Sequence, residues 1–251
     1  MTLSNQQTDW EDLSALDPYW AILSRPEGRH GNWDIEEFFL TGEKEIRAAI
    51  EIGSQLGHPN NHGVALDFGC GVGRLTRTLS QHFERCYGVD ISENMIDQAR
   101  QLNHKITNCK FVVNDKDNLT IFDDNYFDLI YTNIVLQHIP DKSTIKAYIS
   151  EFVRTLSEGG LLVFQLPCQI PLKNRLQPRR RAYAILKTLG IHRKILYEKL
   201  GLYPIRMNFV PENEVIELLE TQGAKVLDVK PSSTAGSTFV SNNYYVTKQA
   251  I

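Results

Sequence analysis

A glycine-rich turn early in the chain could bring the backbone directly against a ligand. The turn follows an apolar run at 64–68 that predicts a buried strand, and it contains Gly69, Cys70, Gly71 and Gly73. Glycine adopts positive φ readily and places no Cβ between the backbone and a ligand. The dinucleotide fingerprint G-x-G-x-x-G would need glycine at position 74, where this chain has Arg74. The turn therefore predicts a ligand site that departs from the dinucleotide pattern.

Two acidic residues accompany this turn. Asp67 lies two residues before Gly69, near the end of a buried strand, where a carboxylate is costly unless it accepts hydrogen bonds or faces a cation. It could bind a cationic group of the ligand and would repel a pyrophosphate, or it could cap local backbone N–H groups. Asp90 ends the next apolar strand, 19 residues after Gly71, at the spacing where an acid meets a ribose. We expect Asp90 to accept hydrogen bonds from both ribose hydroxyls.

Further residues could contact the base of such a nucleoside. Ile91 and Met95 could flank an adenine, or they could pack in the core. The third apolar strand ends in the polar run Asn114, Asp115 and Lys116. A side-chain acceptor and a backbone N–H there could bind the exocyclic amine and a ring nitrogen. Asp115 is the preferred contact, Asp117 is a competitor, and either could be a turn residue.

A histidine follows the fourth apolar strand, at the sheet edge where ligands bind in doubly wound folds. His138 could act as a general base, because histidine titrates near neutrality and some acceptors must lose a proton before they react. It could also serve only to hold its loop through hydrogen bonds, since Ile139 and Pro140 follow it. Both interpretations stay open.

Several motifs occur together in an order typical of one enzyme family. They are LDFGCGVGR at 66–74, YGVDIS at 87–92, and YFDLI at 126–130 with LQHIP at 136–140. In this order they resemble class I S-adenosylmethionine-dependent methyltransferases, over roughly residues 60–170. The resemblance implies that S-adenosylmethionine is the cofactor. Its ammonium group gives Asp67 a cationic partner, and Asn133, just after the fourth strand, could contact its methionine end. Asn114 departs from the pattern, because many relatives have glycine there.

The alternation of apolar strands and helices predicts an α/β, doubly wound, Rossmann-like sheet. Predicted strands lie at 64–68, 86–89, 111–113, 127–131 and 161–166, and predicted helices at 74–83, 93–102, 143–156 and 212–221. Two further strands, 225–229 and 238–247, are separated by turn residues at 234–237 and predict an antiparallel pair at the sheet edge. The resemblance implies seven strands in the order 3-2-1-4-5-7-6, with strand 7 antiparallel.

We interpret residues 1–251 as a single domain with four segments. Residues 1–60 are rich in aromatic side chains and predict either helices packed on the sheet or a lid over the cofactor. Residues 61–167 form the predicted cofactor-binding core, and 168–210 an insert that caps the acceptor site. Residues 211–251 supply the last helix and the antiparallel pair.

Composition narrows the class of protein. With 42% hydrophobic and 23% charged residues, the chain is typical of a globular domain. Its longest apolar run, at 160–166, is far short of the roughly 20 residues that a membrane span needs, and its N-terminus is polar. We therefore expect a cytoplasmic protein.

The four cysteines lack CxxC spacing, so we expect no metal site. The net charge of -3 argues against a nucleic-acid binder.

The insert carries a local excess of positive charge. Residues 173–199 contain nine Lys or Arg and one acid, Glu198. Arg179, Arg180 and Arg181 could hold a carboxylate or phosphate of a small-molecule acceptor, or they could form a solvated helix face. The same segment could instead grip RNA or protein, or contact an anionic membrane surface peripherally. We expect methyl transfer to oxygen or nitrogen of a small molecule such as a secondary metabolite or sugar, with macromolecule methylation or non-catalytic cofactor binding as alternatives.

Overall fold

Seven strands form one sheet in the computed structural model, which describes residues 3–234, 236 and 238–249. The strands are β1 (Val64–Phe68), β2 (Arg85–Asp90), β3 (Cys109–Val113), β4 (Phe127–Thr132), β5 (Leu156–Gln169), β6 (Ala224–Ser232) and β7 (Val240–Lys248). Their order is β3-β2-β1-β4-β5-β7-β6. β7 is antiparallel to both β5 and β6, and the remaining neighbours are parallel. The predicted doubly wound fold, strand order and reversed seventh strand are confirmed.

Helices connect these strands and cover both faces of the sheet. They are α1 (Leu3–Leu16), α2 (Pro18–Ile22), α3 (Ile35–Gln55), α4 (Arg74–Leu79), α5 (Glu93–Leu102), α6 (Lys142–Thr155), α7 (Leu172–Arg175), α8 (Pro178–Thr188), α9 (Arg193–Glu198) and α10 (Glu212–Thr221). The predicted turn at 234–237 includes residues 235 and 237, which lie outside the described residues. Within the described ranges, no helix combines the length and apolar character needed to cross a membrane.

The two faces of the sheet have separate cores. Successive residues of a strand point to opposite faces. Leu66 therefore packs in the core formed with α6 and α10, whereas its neighbour Ala65 packs in the core formed with α3 and α4. Every residue of β1 is buried, as expected for a central parallel strand with both faces covered.

Strand pairing brings the ends of three strands to one edge of the sheet. β1 pairs in parallel with β2 on one side and with β4 on the other. The glycine turn after Phe68, the end of β2 at Asp90 and the loop after Thr132 therefore lie next to one another. This edge is where doubly wound folds bind their ligands.

The N-terminal segment has two structural roles. Helix α3 belongs to the core, because Ile46 is fully buried in the cluster that contains Ala65 and Leu129. Helices α1 and α2 lie apart from the sheet, in a cluster with the start of α5 that includes Leu13, Trp20 and Met95. Helix α3 therefore packs on the sheet, as the first of the two interpretations of residues 1–60 predicted. For α1 and α2, the lid over the cofactor stays a prediction.

A buried carboxylate fastens α1 to the insert. Asp12 accepts hydrogen bonds from Lys187, from Arg193 Nη1 at 2.5 Å and from the Tyr183 hydroxyl at 3.3 Å. Burial alone would raise the pKa of Asp12, but the hydrogen bonds from Lys187 and Arg193 outweigh it and hold the pKa below its usual value. Part of the positive charge of the insert is therefore neutralised inside the protein.

Replacing Ile46 by Ala should lower the free energy of unfolding by about 2–5 kcal/mol, because the lost side chain leaves a cavity between α3 and the sheet. Urea denaturation measures this loss. The control is Leu40→Ala on the same helix, where the side chain is 45% exposed, and its loss should stay below about 1 kcal/mol. Equal, small losses would contradict the packing of α3 on the sheet.

Candidate active site

A cavity lies at the carboxyl edge of the sheet, above the glycine turn. We call it the inner cavity. Its walls come from the turn, the end of β2, the start of α5, the loop after β4 and helices α1 and α2. The structure brings these candidate residues from the sequence together in its lining: Gly69, Gly71, Asp90, Ile91, Met95, Asn114, Asn133 and His138.

The glycine turn is held close to its neighbours by positive φ and by the missing side chains. Gly69 has φ +78 and Gly71 has φ +53. A Cβ at Gly69 would lie 2.3 Å from Val135, and a Cβ at Gly71 would lie 2.5 Å from Ile22. Only glycine therefore lets the β4 loop and α2 approach this backbone.

Asp90 is the acid at the floor of the inner cavity. Its Oδ2 accepts a hydrogen bond from the N–H of Gly71 at 2.9 Å, and its Oδ1 accepts one from the N–H of Ser92 at 2.9 Å. Burial raises the pKa of Asp90, and these backbone N–H groups oppose the rise. Each carboxylate oxygen has a second lone pair, so both can also accept from a ligand.

Asp67 has a different contact from the predicted one. Its side chain is outside the lining of the inner cavity, is 1% exposed, and accepts a hydrogen bond from the Thr76 hydroxyl at 2.6 Å. The reason is strand alternation: Asp67 shares its face with Ala65, toward α4, whereas Phe68 reaches the cavity. Burial raises the pKa of Asp67 to about 7, and the Thr76 hydrogen bond limits the rise. Asp90 therefore lines the inner cavity and Asp67 does not, contrary to the predicted contact of Asp67 with a cationic group of the ligand.

Two other candidate residues support the turn from outside the lining. Cys70 is buried beneath it, against Ile96, and burial raises the pKa of its thiol. Gly73 precedes α4, where a Cβ would lie 2.7 Å from Asn103. Both residues shape the turn and do not line the cavity.

At the predicted adenine end, Asn114 lines the cavity while the two residues after it do not. Asp115 and Lys116 are exposed and lie outside the lining of the inner cavity, so the adenine contact of Asp115 stays a prediction. The Asn114 amide donates to the Asn118 carbonyl at 2.9 Å and shapes the loop. Tyr148 of α6 lines the cavity, and its hydroxyl donates to the Lys116 carbonyl. Sequence analysis missed Tyr148, because nothing in α6 marks one aromatic residue as ligand-facing.

His138 is a buried, neutral imidazole. Its Nδ1 lies 2.5 Å from the carbonyl oxygen of Arg206, so Nδ1 carries the proton and donates it. Burial lowers the pKa of His138 to about 4, and the Arg206 hydrogen bond only partly opposes this. Nε2 is therefore the acceptor nitrogen, and it accepts a hydrogen bond from the side-chain amide of Gln137 at 3.3 Å.

Asn133 is held by an acid that sequence analysis missed. Glu45 of α3 accepts hydrogen bonds from Asn133 Nδ2 at 2.6 Å and from the Tyr131 hydroxyl at 3.0 Å. Its other oxygen pairs with Arg74 at 2.8 Å. These contacts join residues far apart in the chain, so no local pattern could have indicated them.

A second, outer cavity adjoins the first. Ile22, Asn133, Ile134 and His138 line both cavities. The outer cavity extends toward the insert, where Lys173 and Arg179 line it. The site therefore consists of two compartments that share one wall.

No group of three or more His, Cys, Asp or Glu side chains that could hold a metal ion is found over the described part of the chain.

Comparison with known proteins agrees with this arrangement. Residues 66–164 match a family model described as a methyltransferase domain. The chain is 26% identical over 163 residues to 2-methyl-6-phytyl-1,4-hydroquinone methyltransferase of Synechocystis, a match that covers 64% of this chain and 50% of that protein. It is 30% identical over 167 residues to ubiquinone biosynthesis O-methyltransferase of Coxiella burnetii, covering 65% and 64%. The chain thus spans about half the length of the first relative.

Solved structures share the fold. Magnesium protoporphyrin IX methyltransferase of Synechocystis, crystallised with S-adenosylhomocysteine, aligns with a TM-score of 0.61 and 19% identity, covering 97% of this chain and 100% of that one. A methyltransferase from Clostridium acetobutylicum aligns with a TM-score of 0.58 and 17% identity, covering 86% and 99%. Residues 66–164 therefore match a methyltransferase domain, and the sheet of the chain has the fold of solved S-adenosylmethionine-dependent methyltransferases.

Proposed function

We propose that this protein transfers a methyl group from S-adenosylmethionine to an oxygen or nitrogen of a small-molecule acceptor. The observation that carries the proposal is the pair of cavities with a common wall at Asn133, Ile134 and His138. The cofactor supplies a methyl carbon activated by a positively charged sulfur. The inner cavity suits the nucleoside, and the outer cavity leaves room for an acceptor on the other side of that wall.

The lining of the inner cavity fits the cofactor. The Asp90 carboxylate can accept from two ribose hydroxyls while it keeps its bonds to the backbone. Ile91 and Met95 supply apolar surface for a flat base, with Asn114 nearby. Gly69 and Gly71 leave the backbone open at the turn. We assign three residues outside the lining to its support: Lys116, whose carbonyl accepts from Tyr148, Cys70 and Asp67.

Helix α1 forms one wall of the inner cavity and can exclude water from the reacting groups. Leu3, Gln6 and Trp10 line the inner cavity, and Trp10 also packs edge-on against His138 at 5.5 Å between ring centres. Methyl transfer needs an in-line approach of the nucleophile, so positioning and removal of water can supply much of the rate. We assign these tasks to α1 and the shared wall.

His138 is suited to hold the reacting group of the acceptor. Its neutral Nε2 accepts from the Gln137 amide at 3.3 Å, and a hydroxyl or an amine of the acceptor at the shared wall would replace that donor. An imidazole with a pKa of about 4 is a weak base, so it suits an acceptor that loses its proton late or is already acidic. His138 would therefore orient the acceptor and receive its proton as the new bond forms.

The positions of the basic residues favour a small acceptor over RNA or protein. Lys187 and Arg193 bind Asp12, and Lys173 and Arg179 line the outer cavity, so these charges do not form one outward surface. The names of the relatives refer to a hydroquinone, to ubiquinone biosynthesis and to trans-aconitate. All are small-molecule methylation systems, which supports the same choice.

Asp90→Ala should weaken the binding of S-adenosylhomocysteine by about tenfold to a hundredfold, because losing a hydrogen bond to a charged group typically costs about 1.5–3 kcal/mol. Titration calorimetry measures the affinity, with circular dichroism to show that the variant is folded. Asp97→Ala is the control, since Asp97 is on α5, 56% exposed and paired only with Arg100. An Asp90 variant that binds as tightly as the wild type would refute the ribose contact.

Incubation with S-adenosylmethionine labelled in its methyl group should transfer label to the low-molecular-weight fraction of a cell extract. The Asp90→Ala variant should transfer much less at the same cofactor concentration. Label found only in RNA or protein would instead support macromolecule methylation. Tight S-adenosylhomocysteine binding without transfer to any fraction would support the non-catalytic alternative.

His138→Asn should lower kcat by about a hundredfold, the lower end of what a positioned proton acceptor contributes, while cofactor affinity stays near the wild-type value. In the wild type, kcat should show no change from His138 titration between about pH 6 and 8, because the imidazole takes up its proton only near pH 4. Initial rates across this range test both statements. Full activity of the variant would remove His138 from the chemistry.

A further inference from the structure

Four arginines line one pocket beside the outer cavity. This arginine pocket contains Arg175, Arg180, Arg181 and Arg206, with Gln177 and Asn208. No carboxylate is among its lining residues in the part of the chain that the structure describes. Because guanidinium groups repel one another, their convergence on one pocket indicates a site for negative charge.

Positive charge continues into the outer cavity. Arg25, Lys173 and Arg179 line it, and the acid there is Glu45, which already pairs with Arg74 at 2.8 Å. The whole chain has a net charge of -3, so this concentration of cations is local.

The surrounding acids leave most of this charge uncompensated. Over the described residues, Lys173, Arg175, Arg179 and Arg181 have no ion pair with a carboxylate. Asp9 of α1 interacts electrostatically with Arg180 and Arg206, and burial raises the pKa of Asp9 to about 6. Arg175 and Arg181 are therefore the two members of the pocket that have no carboxylate partner among the described residues.

The arginine pocket connects directly to the shared wall. Gln177 and Arg180 line both the pocket and the outer cavity. Pro140 lines the pocket two residues after His138, and the His138 ring donates to the carbonyl of Arg206. One small molecule could therefore place its reacting atom at His138 and its other end in the pocket.

We propose that the methyl acceptor carries an anionic group, a carboxylate or a phosphate, and that the arginine pocket binds this group. The proposal rests on the proposed function. Arginine binds both anions through paired N–H donors, which fixes orientation as well as position. Between the two ends, Ile134, Ile205 and Met207 line the outer cavity and offer an apolar surface for the rest of the molecule.

The first test measures anion binding by the whole protein saturated with S-adenosylhomocysteine. Inorganic phosphate and citrate are the probes, titrated by calorimetry. The double variant Arg175→Ala, Arg181→Ala should bind at least one of them ten times more weakly or worse, with unchanged affinity for S-adenosylhomocysteine. Lys199→Ala is the control, because Lys199 is an exposed cation of the same insert outside both cavities. Equal anion affinity in the double variant and the wild type would overturn the proposal.

The second test uses the acceptor itself. The product labelled from a small-molecule extract should be retained on an anion exchanger, and phosphatase treatment should release it if the group is a phosphate but not if it is a carboxylate. With the product identified, the double variant should raise the KM for the acceptor at least tenfold and change kcat much less. A neutral product, or an unchanged KM, would overturn the proposal.

Two further outcomes separate this proposal from its alternatives. Loss of all methyl transfer, with anion binding intact and sensitive to the double variant, would reject the proposed function and still support an anion site. Exposed apolar side chains lie near the same basic residues: Leu176 lines the arginine pocket and is 57% exposed, and Leu172, next to Lys173, is 76% exposed. Vesicles that contain phosphatidylglycerol therefore test a membrane role. Loss of vesicle binding in the double variant, with the KM unchanged, would assign the arginines to a lipid surface and overturn the proposal.

Discussion

The carboxylate of Asp90 is the interaction on which the site depends. It binds the N–H of Gly71 with one oxygen and the N–H of Ser92 with the other, so it joins the turn after β1 to the start of α5. A buried carboxylate is stable only when it is hydrogen-bonded, and here the backbone supplies the bonds. The acid is thereby held at the cavity floor before any ligand arrives.

The hydrogen bond to Asp90 also explains why glycine is required at position 71. Gly71 can donate to Asp90 only in a turn with positive φ, and that turn lies so close to Ile22 that a side chain would collide. Ser92 meanwhile caps α5 by accepting from the Met95 N–H at 3.1 Å. The proposed cofactor site, the start of α5 and the packing of α2 on the turn thus depend on a few shared backbone groups.

Elements with strong local signals could be predicted from the sequence. β1, α5 and α10 have the predicted bounds, because apolar runs and capping residues delimit them. β5 is longer than predicted, since Gly159 and Gly160 form a bulge within the strand and do not end it. α4 is shorter, ending at Leu79.

Only some residues of the candidate site could be predicted from the sequence. Position after a strand predicts which residues reach the correct edge, and this placed Asp90, Asn133 and His138 in the lining. It does not predict which face of the sheet a side chain takes, and Asp67 turned to the face that packs on α4. Glu45 could not be found at all, because its role arises from contacts with residues that are distant in the chain.

Asp12 links the two compartments mechanically. Helix α1 supplies one wall of the inner cavity, and its Asp12 is bonded to Lys187 and Arg193 of the insert. Any displacement of α1 that breaks these bonds leaves a buried carboxylate unpaired and frees two cations of α8 and α9 at once. Separating α1 from α8 therefore costs free energy, and this cost holds a wall of the inner cavity and a wall of the outer cavity in a fixed relation.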